Sequence, residues 1–391
     1  MSQDHIFNAI QDLIKSAELS TNSEAKKPFS ISIAQVLQDL DYQDEEEIWE
    51  AGNFVYECAR NFPEHSETLY NLAYRLYSRA ADKKYPSALR SMGQLYMLGL
   101  GVPTDREKAF LYYQEAAALG NEAAFFDICR SYFLGCGVEK DIDKAIELLS
   151  HKVEEGNAEA MHFLGRCYFT INDSKNAYAW WKKAVENGSH EAAFSLSYAY
   201  LGGPDEIRNP KKGMELLKKA AEAVPGVPEA QFHLALFYLR GNSGYGIEKD
   251  ISKGIELLKK SADGGSFPAL GLYGRILFEG KYIEQDMKLG VRLMETAGEQ
   301  DDDATQIYLS SLYCYGTESV EPNYKKGAYW ANKAIENGSD EAMLDLAMLY
   351  LDGLGVQADE EKAFALIKRS AAAGNEDAKY ILTESEAMSD E

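Results

Sequence analysis

The chain is organised around residues Ala88–Asn121, ALRSMGQLYMLGLGVPTDREKAFLYYQEAAALGN. Apolar and small residues recur three and four apart in its first half, which is the spacing of one face of a helix. Gly99 and Gly101 then supply the backbone freedom that a tight helix exit requires. Asp105 stands where an N-cap would start a second helix, and Gly120 ends that helix. Because one such hairpin cannot bury its apolar face alone, the sequence predicts neighbouring hairpins.

The same pattern returns along the chain. Ala124–Asn157 has FLGCGVEKDIDKA where the first unit has MLGLGVPTDREKA, and Ala342–Asn375 contains YLDGLGVQADEEKAFALIKRSAAAGN. Between them, Gly244–Gly254 (GYGIEKDISKG) holds the same turn and cap. The turn in Ala160–Ser189 is shortened and several later turns are longer. Such changes are expected to project from one edge of a repeat array.

The recurring combination is a small residue, then Tyr, Gly-x-Gly-Val/Ile, Asp and Lys-Ala, and it resembles the Sel-one-like repeat (SLR) family, a relative of the tetratricopeptide repeats. The resemblance extends over roughly Ile48 to Leu382. It implies an all-α fold, a right-handed α/α superhelical solenoid of about nine helix-turn-helix repeats. The common property of the family is protein binding. The resemblance therefore implies a non-enzymatic adaptor or scaffold that holds another protein in its concave groove, and it favours a bacterial origin.

Three regions are expected along the chain. Residues 1–47 form a non-repeat helical N-terminal region, in which the acidic run Asp44–Glu47 indicates a solvated loop or a first helical turn. Residues 48–382 form the solenoid, and 48–84 is its degenerate cap, because the terminal repeat of an array departs from the pattern. Residues 383–391 form an acidic tail.

The formal net charge is −23, from 40 basic and 63 acidic residues. This charge would repel phosphates, which argues against nucleic acid as the main partner. It would attract a basic protein, so the alternative function is an acidic inhibitor or immunity-type protein that neutralises a basic partner such as a toxin. The simpler explanation is that acidity keeps a long open surface soluble.

The five cysteines are odd in number and irregularly placed. Some SLR proteins are secreted and staple each repeat with a cysteine pair, and the lack of that pairing here indicates reduced thiols in a cytoplasm. Cys129 stands where other repeats have Gly93, Gly165 or Ala347, so it is expected to be a small buried packing residue. The start, MSQDHIFNAI, lacks the features of a signal peptide, and no stretch reaches the length of a membrane span. The sequence leaves the oligomeric state open.

No residue pattern points to catalysis, to a metal or to a cofactor. The six histidines lie outside metal-ligand and nucleophile patterns. The segments GLGV and GCGV resemble phosphate-binding loops, but they recur at helix exits and so predict structural turns. Some cysteine-rich relatives have been described as binding or hydrolysing β-lactams, which keeps a hydrolase as a remote alternative. Lys108, Lys144 and Lys362 recur in the first turn of second helices, where solvent exposure is the simple explanation.

The first helices carry the partner-binding hypothesis. Counting from the small residue at Ala88, the residues two, three and six along are left over by the packing face. In related solenoids the first helix of each pair lines the concave side, so by resemblance these residues form a basic and aromatic groove, a character enriched in binding hot spots. Phe126, Phe194 and Phe232 can equally pack between neighbouring repeats. The predicted groove residues are Arg90, Gln94, Phe126, Arg130, His162, Arg166, Phe194, Tyr198, Phe232 and His233.

Overall fold

The computed structural model of the protein describes residues 44–61 and 65–389. Residues 1–43, which hold most of the expected N-terminal region, lie outside the described residues. The described part contains nineteen α-helices. In chain order they are α1 (Glu45–Asn61), α2 (Ser66–Asp82), α3 (Pro86–Leu98), α4 (Arg106–Ala118), α5 (Glu122–Leu134), α6 (Ile142–Glu154), α7 (Ala158–Thr170), α8 (Ser174–Glu186), α9 (His190–Gly202), α10 (Pro210–Ala221), α11 (Pro228–Arg240), α12 (Ile251–Asp263), α13 (Phe267–Glu279), α14 (Met287–Glu299), α15 (Asp303–Tyr315), α16 (Tyr324–Glu336), α17 (Glu341–Asp352), α18 (Glu360–Ala373) and α19 (Glu376–Ser389).

The helices form consecutive hairpins. Each odd-numbered helix from α1 to α17 packs against the helix that follows it, and we call the two the A helix and the B helix of the hairpin. Within the described residues there are thus nine hairpins and a further A helix, α19. This confirms the predicted all-α solenoid of helical repeats. The chain divides into two compact units between Asn187 and Gly188. Unit 1 contains α1–α8 and unit 2 contains α9–α19.

The described helical array begins with α1 and ends with α19. Helix α1 begins at Glu45, so the acidic run forms a first helical turn, one of its two predicted states. Helix α19 continues past Leu382 to Ser389 and includes most of the expected tail. It continues because neither glycine nor proline interrupts its sequence.

From α4 onward the B helices begin with the predicted side-chain cap, whereas α2 has none. Asp105 accepts a hydrogen bond from the backbone N–H of Lys108 at 3.0 Å, which confirms the capping role inferred from the sequence. The same bond, between 2.8 and 3.2 Å long, recurs at the start of every later B helix in the described chain. Each cap satisfies a backbone donor that would otherwise lack a partner and typically contributes about 1 kcal/mol.

The second glycine of the Gly-x-Gly turn lies against the hairpin before it. Gly101, Gly137 and Gly355 all have a positive φ, between 69° and 73°. A Cβ at Gly137 would lie 1.9 Å from the carbonyl oxygen of Arg106, the first residue of α4. A Cβ at either of the other two glycines would meet backbone atoms of α2 or α16 at 2.4 Å. These glycines therefore permit a backbone contact between neighbouring hairpins, in addition to the turn conformation.

Small residues on the A helices make room for aromatic rings of the B helices. Cys129 is fully buried, as predicted, and burial raises the pKa of its thiol to about 12. Gly93 and Gly165 occupy the same position in their own hairpins. A Cβ at Gly93 would lie 2.5 Å from the ring of Tyr113, and one at Gly165 would lie 2.4 Å from the ring of Trp181. Both rings are buried in the core of unit 1.

A repeated lysine–tyrosine contact joins the two helices of a hairpin. In five hairpins of the described chain the third residue of the B helix is a lysine whose ammonium lies over a tyrosine ring of the A helix. The pairs, with their Nζ-to-centroid distances, are Lys108 with Tyr96 (4.2 Å), Lys212 with Tyr200 (5.5 Å), Lys253 with Tyr238 (4.6 Å), Lys326 with Tyr313 (4.9 Å) and Lys362 with Tyr350 (5.6 Å). Solvent exposure alone therefore does not explain why a lysine recurs at the positions of Lys108 and Lys362. In the hairpin α13–α14 both positions are leucine, Leu277 and Leu289, whereas α7–α8 keeps the tyrosine, Tyr168, and has Asn176 as the third residue of its B helix.

We expect Tyr238 and Lys253 to be energetically coupled. Tyr238→Leu and Lys253→Leu should each lower the free energy of unfolding, because each removes the cation–π contact, and the double variant should lose less than the sum. The coupling energy should be about 0.5–1 kcal/mol. Urea unfolding of the four proteins of this cycle, followed by circular dichroism, measures it. The control is Lys259→Leu, which changes an exposed lysine on the same helix and should show no coupling to Tyr238. If the effects of Tyr238→Leu and Lys253→Leu on the free energy of unfolding simply add, the pairing is contradicted.

Candidate functional site

In unit 1, two arginines predicted for the groove share one buried carboxylate. Arg90 on α3 donates from Nε to Asp127 Oδ2 at 2.6 Å, and Arg130 on α5 donates from Nη1 to Asp127 Oδ1 at 2.8 Å. The Asp127 side chain is only 7% exposed, whereas both guanidinium groups reach solvent. The carboxylate therefore fixes the position of both arginines on the A-helix surface, and the cluster carries a net positive charge.

A third arginine extends this surface onto α7. The Arg166 guanidinium lies 5.5 Å from the ring centroids of both Phe133 and Phe163, which contact each other edge to face. Burial against these rings lowers the pKa of Arg166, and the nearby Arg130 lowers it further. Guanidinium nevertheless stays charged in proteins. His162 on the same helix is partly exposed, and its backbone carbonyl accepts a hydrogen bond from Trp181 Nε1.

A pocket of about 300 Å³ opens beside this cluster, between the A helices of unit 1. Gln94 of α3 and Arg130 of α5, both predicted for the groove, line it together. The pocket is also lined by residues that were not predicted as site residues, namely Tyr56, Met97, Leu98, Tyr113, Asp127, Ser131, Leu134 and Cys136.

Phe126 has to be removed from the predicted surface. It is only 4% exposed and packs in the core of unit 1 with Cys129, and its ring contacts Phe125 edge to face. The alternative that the sequence left open for this residue, packing in the interior, is therefore what the structure shows. The physical reason is size: at a position beside the packing face, a large apolar ring loses its contact with water by turning inward.

In unit 2 the four predicted groove residues lie together. His233 on α11 stacks on Phe194 at 5.5 Å between ring centroids and contacts Tyr198 at 6.1 Å and Phe232 at 5.5 Å. Burial among these rings lowers the pKa of His233, so the imidazole is neutral near pH 7. Tyr198 remains 65% exposed, whereas Phe194 and Phe232 are half-buried. The cluster thus presents one exposed aromatic ring supported by three others.

A second pocket, of about 190 Å³, lies between α11, α13 and α15 of unit 2. Arg275 lines it and holds its guanidinium 5.5 Å from the ring of Tyr308. Asp302 lies on its wall, where burial raises the pKa of the carboxyl and the Thr305 hydroxyl donates a hydrogen bond to it. Of the predicted groove residues, Phe232 lines this pocket, whereas Arg275 was not predicted. Its position could have indicated it, because Arg275 is the sixth residue after Ala269, the position that Arg130 and Arg166 occupy in their helices.

The described residues contain no group of three or more histidines, cysteines and carboxylates placed to hold a metal ion. In the same residues, none of the helices combines the length and apolar character required to cross a lipid bilayer. The chemistry that the described clusters do offer is recognition, through guanidinium groups and aromatic rings beside apolar pockets.

Comparisons with known proteins agree with this architecture. A sequence profile of the Sel1 repeat matches residues 69–85, 86–121, 126–150, 158–189, 190–224, 228–266, 268–302, 304–339 and 340–375. Chitin synthase regulatory factor 3 of Schizosaccharomyces pombe is 29% identical over 216 residues, which cover 54% of this chain and 23% of that protein. Chitin synthase regulator SKT5 of Saccharomyces cerevisiae is 27% identical over 219 residues, which cover 54% of this chain and 31% of that protein.

The chain thus spans less than a third of the length of either curated relative. Among solved structures, a Sel1 repeat protein from Oxalobacter formigenes aligns over 96% of this chain and 93% of that chain, with a TM-score of 0.47 and 23% identity. Sel1 repeat proteins act in protein–protein interactions. Since the profile matches well over half of the residues, this chain belongs to the Sel1 repeat family.

Proposed function

We propose that this protein is a non-enzymatic adaptor or scaffold that binds a partner protein on the A-helix surfaces of its two units. The observation that carries the proposal is the set of positioned arginines in unit 1, Arg90, Arg130 and Arg166, held by one buried carboxylate and two aromatic rings. Arginine and aromatic side chains held in place lose little conformational entropy when a partner docks, and they are enriched among residues that dominate binding energy.

The remaining predicted groove residues support the same surfaces. Gln94 lines the unit 1 pocket, and His162 lies partly exposed beside Arg166. In unit 2, Tyr198 is the exposed member of an aromatic cluster with Phe194, Phe232 and His233. All five cysteines are unpaired, and free thiols are typical of a reducing compartment, which supports a cytoplasmic location.

The second candidate function is an acidic inhibitor that neutralises a basic partner. The net charge of −23 supports it, because such a charge attracts a basic protein over long distances. The two functions use different parts of the molecule. The inhibitor would bind through its acidic exterior, whereas the adaptor would bind through arginines and aromatic rings.

The test is capture of partners from a lysate of the source organism by the full chain, at low and high salt, with identification by mass spectrometry. The double variant Arg130→Glu/Arg166→Glu should retain at least about tenfold less of the adaptor's partner, because it reverses two hot-spot charges. The control variant Arg75→Glu/Arg79→Glu reverses two exposed arginines of α2 and so makes the same change in net charge. It should retain the partner fully.

Two outcomes would decide against the adaptor. Unchanged retention by the Arg130→Glu/Arg166→Glu variant would remove the arginine surface from the binding site. A basic partner that elutes as salt rises would favour the inhibitor, because long-range attraction between exposed charges is screened by salt. Arg166→Glu alone serves as a second variant that leaves the Arg130–Asp127 ion pair intact.

A further inference from the structure

The pocket of unit 1 has two chemically distinct ends. Earlier on α3 and α5 the lining residues are polar, namely Gln94 and the ion-paired Asp127 and Arg130. About one helical turn further along the same two helices they are apolar, namely Met97, Leu98 and Leu134. A ligand that satisfies both ends must carry an apolar group and a polar group close together.

At the polar end, hydrogen-bond donors remain available to a ligand. Asp127 already accepts from Arg90 and Arg130 through its two oxygens. A guanidinium group has five N–H donors, and the Arg130 bond to Asp127 uses a single one of them. Among the described residues none donates to or accepts from the side-chain amide of Gln94. With two guanidinium groups against one carboxylate, the charge that complements this end is negative.

At the apolar end, two large side chains are more than half exposed. Leu134 is 53% exposed and Leu98 is also largely exposed, and both border the same opening. Covering these side chains would remove apolar area from water, which is favourable at about 25 cal/mol per Å².

The size of the pocket favours a side chain over a larger molecule. Its volume of about 300 Å³ lies at the lower end of the range for sites that enclose whole small molecules, about 300–1,000 Å³. It is open to solvent and not an enclosed cavity, so a chain that continues past the pocket can leave it.

We propose that this pocket receives the apolar side chain of a partner polypeptide in which an aspartate or glutamate lies next to that residue in sequence. The apolar side chain lies between Leu98 and Leu134, and the neighbouring carboxylate accepts hydrogen bonds from Arg130 and Gln94. This deepens the proposed function and rests on it, because it names the chemistry of the partner at one of the two A-helix surfaces.

The experiment begins with selection of short random peptides on phage against the immobilised full chain. The expected enriched motif is a leucine or aromatic residue beside Asp or Glu. The selected peptide and its Asn or Gln analogue are then synthesised and their affinities measured. The carboxylate form should bind at least about tenfold more tightly, since it adds a charge-assisted pair. Peptides rich in lysine and arginine, or no enrichment, would overturn the proposal.

Location is tested with the chain's own thiol. Cys136 lines the pocket and is partly exposed, whereas the other four cysteines are buried. The acidic peptide should slow labelling of Cys136 by a maleimide severalfold at saturation. An unchanged labelling rate would show that the peptide binds elsewhere, which overturns the pocket but leaves the adaptor function standing.

Variants separate the two ends of the pocket. Leu134→Asp should lower the affinity for the peptide by at least about tenfold, because it places a charge in the apolar contact. Leu111→Asp changes a 63% exposed leucine of α4 outside the pocket and should have no effect. Arg130→Gln should abolish the preference for the carboxylate peptide over its amide analogue. A preference that survives this substitution would refute the role given to Arg130, whatever the overall affinity.

Discussion

Replacing Gly137 with alanine is expected to lower the free energy of unfolding by about 2–5 kcal/mol. Two effects combine. Alanine is strained at the φ of +73° that Gly137 adopts, at a cost of about 1–2 kcal/mol. Its Cβ would also lie 1.9 Å from the carbonyl oxygen of Arg106, so the α5–α6 turn would have to move away from α4. Forced displacement of packed groups costs about 1–3 kcal/mol.

Gly156→Ala is the matched control for this prediction. Gly156 also lies in unit 1 and has a φ of +80°, but a Cβ there would meet nothing within 4 Å. It should therefore show the backbone strain without the contact. Urea unfolding monitored by tryptophan fluorescence suits the comparison, because Trp49, Trp180 and Trp181 all lie in unit 1. Equal losses in the two variants would mean that the contact between hairpins contributes nothing.

The second large effect is expected at Asp127. Asp127→Asn keeps the shape of the side chain but removes the charge that two guanidinium groups share. Hydrogen bonds to charged groups contribute about 1.5–3 kcal/mol each, and the arginines recover part of this because they reach solvent. We expect a loss of about 2–3 kcal/mol in the free energy of unfolding, measured by urea unfolding of the full chain.

Asp345→Asn provides the comparison within the same molecule. Asp345 is buried on α17 at the position that Asp127 holds on α5, three residues after the small residue. Its Oδ2 accepts from the hydroxyls of Ser310 and Ser311 at 2.8 and 3.0 Å, and an asparagine oxygen can accept both. Tyr315 also bonds to this carboxylate, but all of these donors are neutral hydroxyls, whereas the donors to Asp127 are charged. The loss should stay below about 1 kcal/mol. A loss as large as that of Asp127→Asn would show that the arginine partners do not matter.

The candidate site could be predicted only in part. The positions of Arg90, Arg130 and Arg166 on the A helices follow from counting residues, and the structure does bring the first two together. Counting alone could not show that Asp127 joins them, because the bond depends on the offset between α3 and α5. It also could not separate Phe126, which packs inward, from Tyr198, which faces solvent, because both are aromatic residues on the variable positions.

The sequence by itself determined the repeat. Its small residues, glycine turns and aspartate caps recur in register, and each acts within one hairpin through local backbone chemistry, so a linear pattern is enough to read them. Only the tertiary structure decided how helices meet, within a hairpin and between hairpins. The contact of Gly137 with α4, the lysine–tyrosine pairs and the pocket beside Arg130 each join residues of different helices. Such contacts depend on the distances between packed helices, which spacing along one chain does not encode.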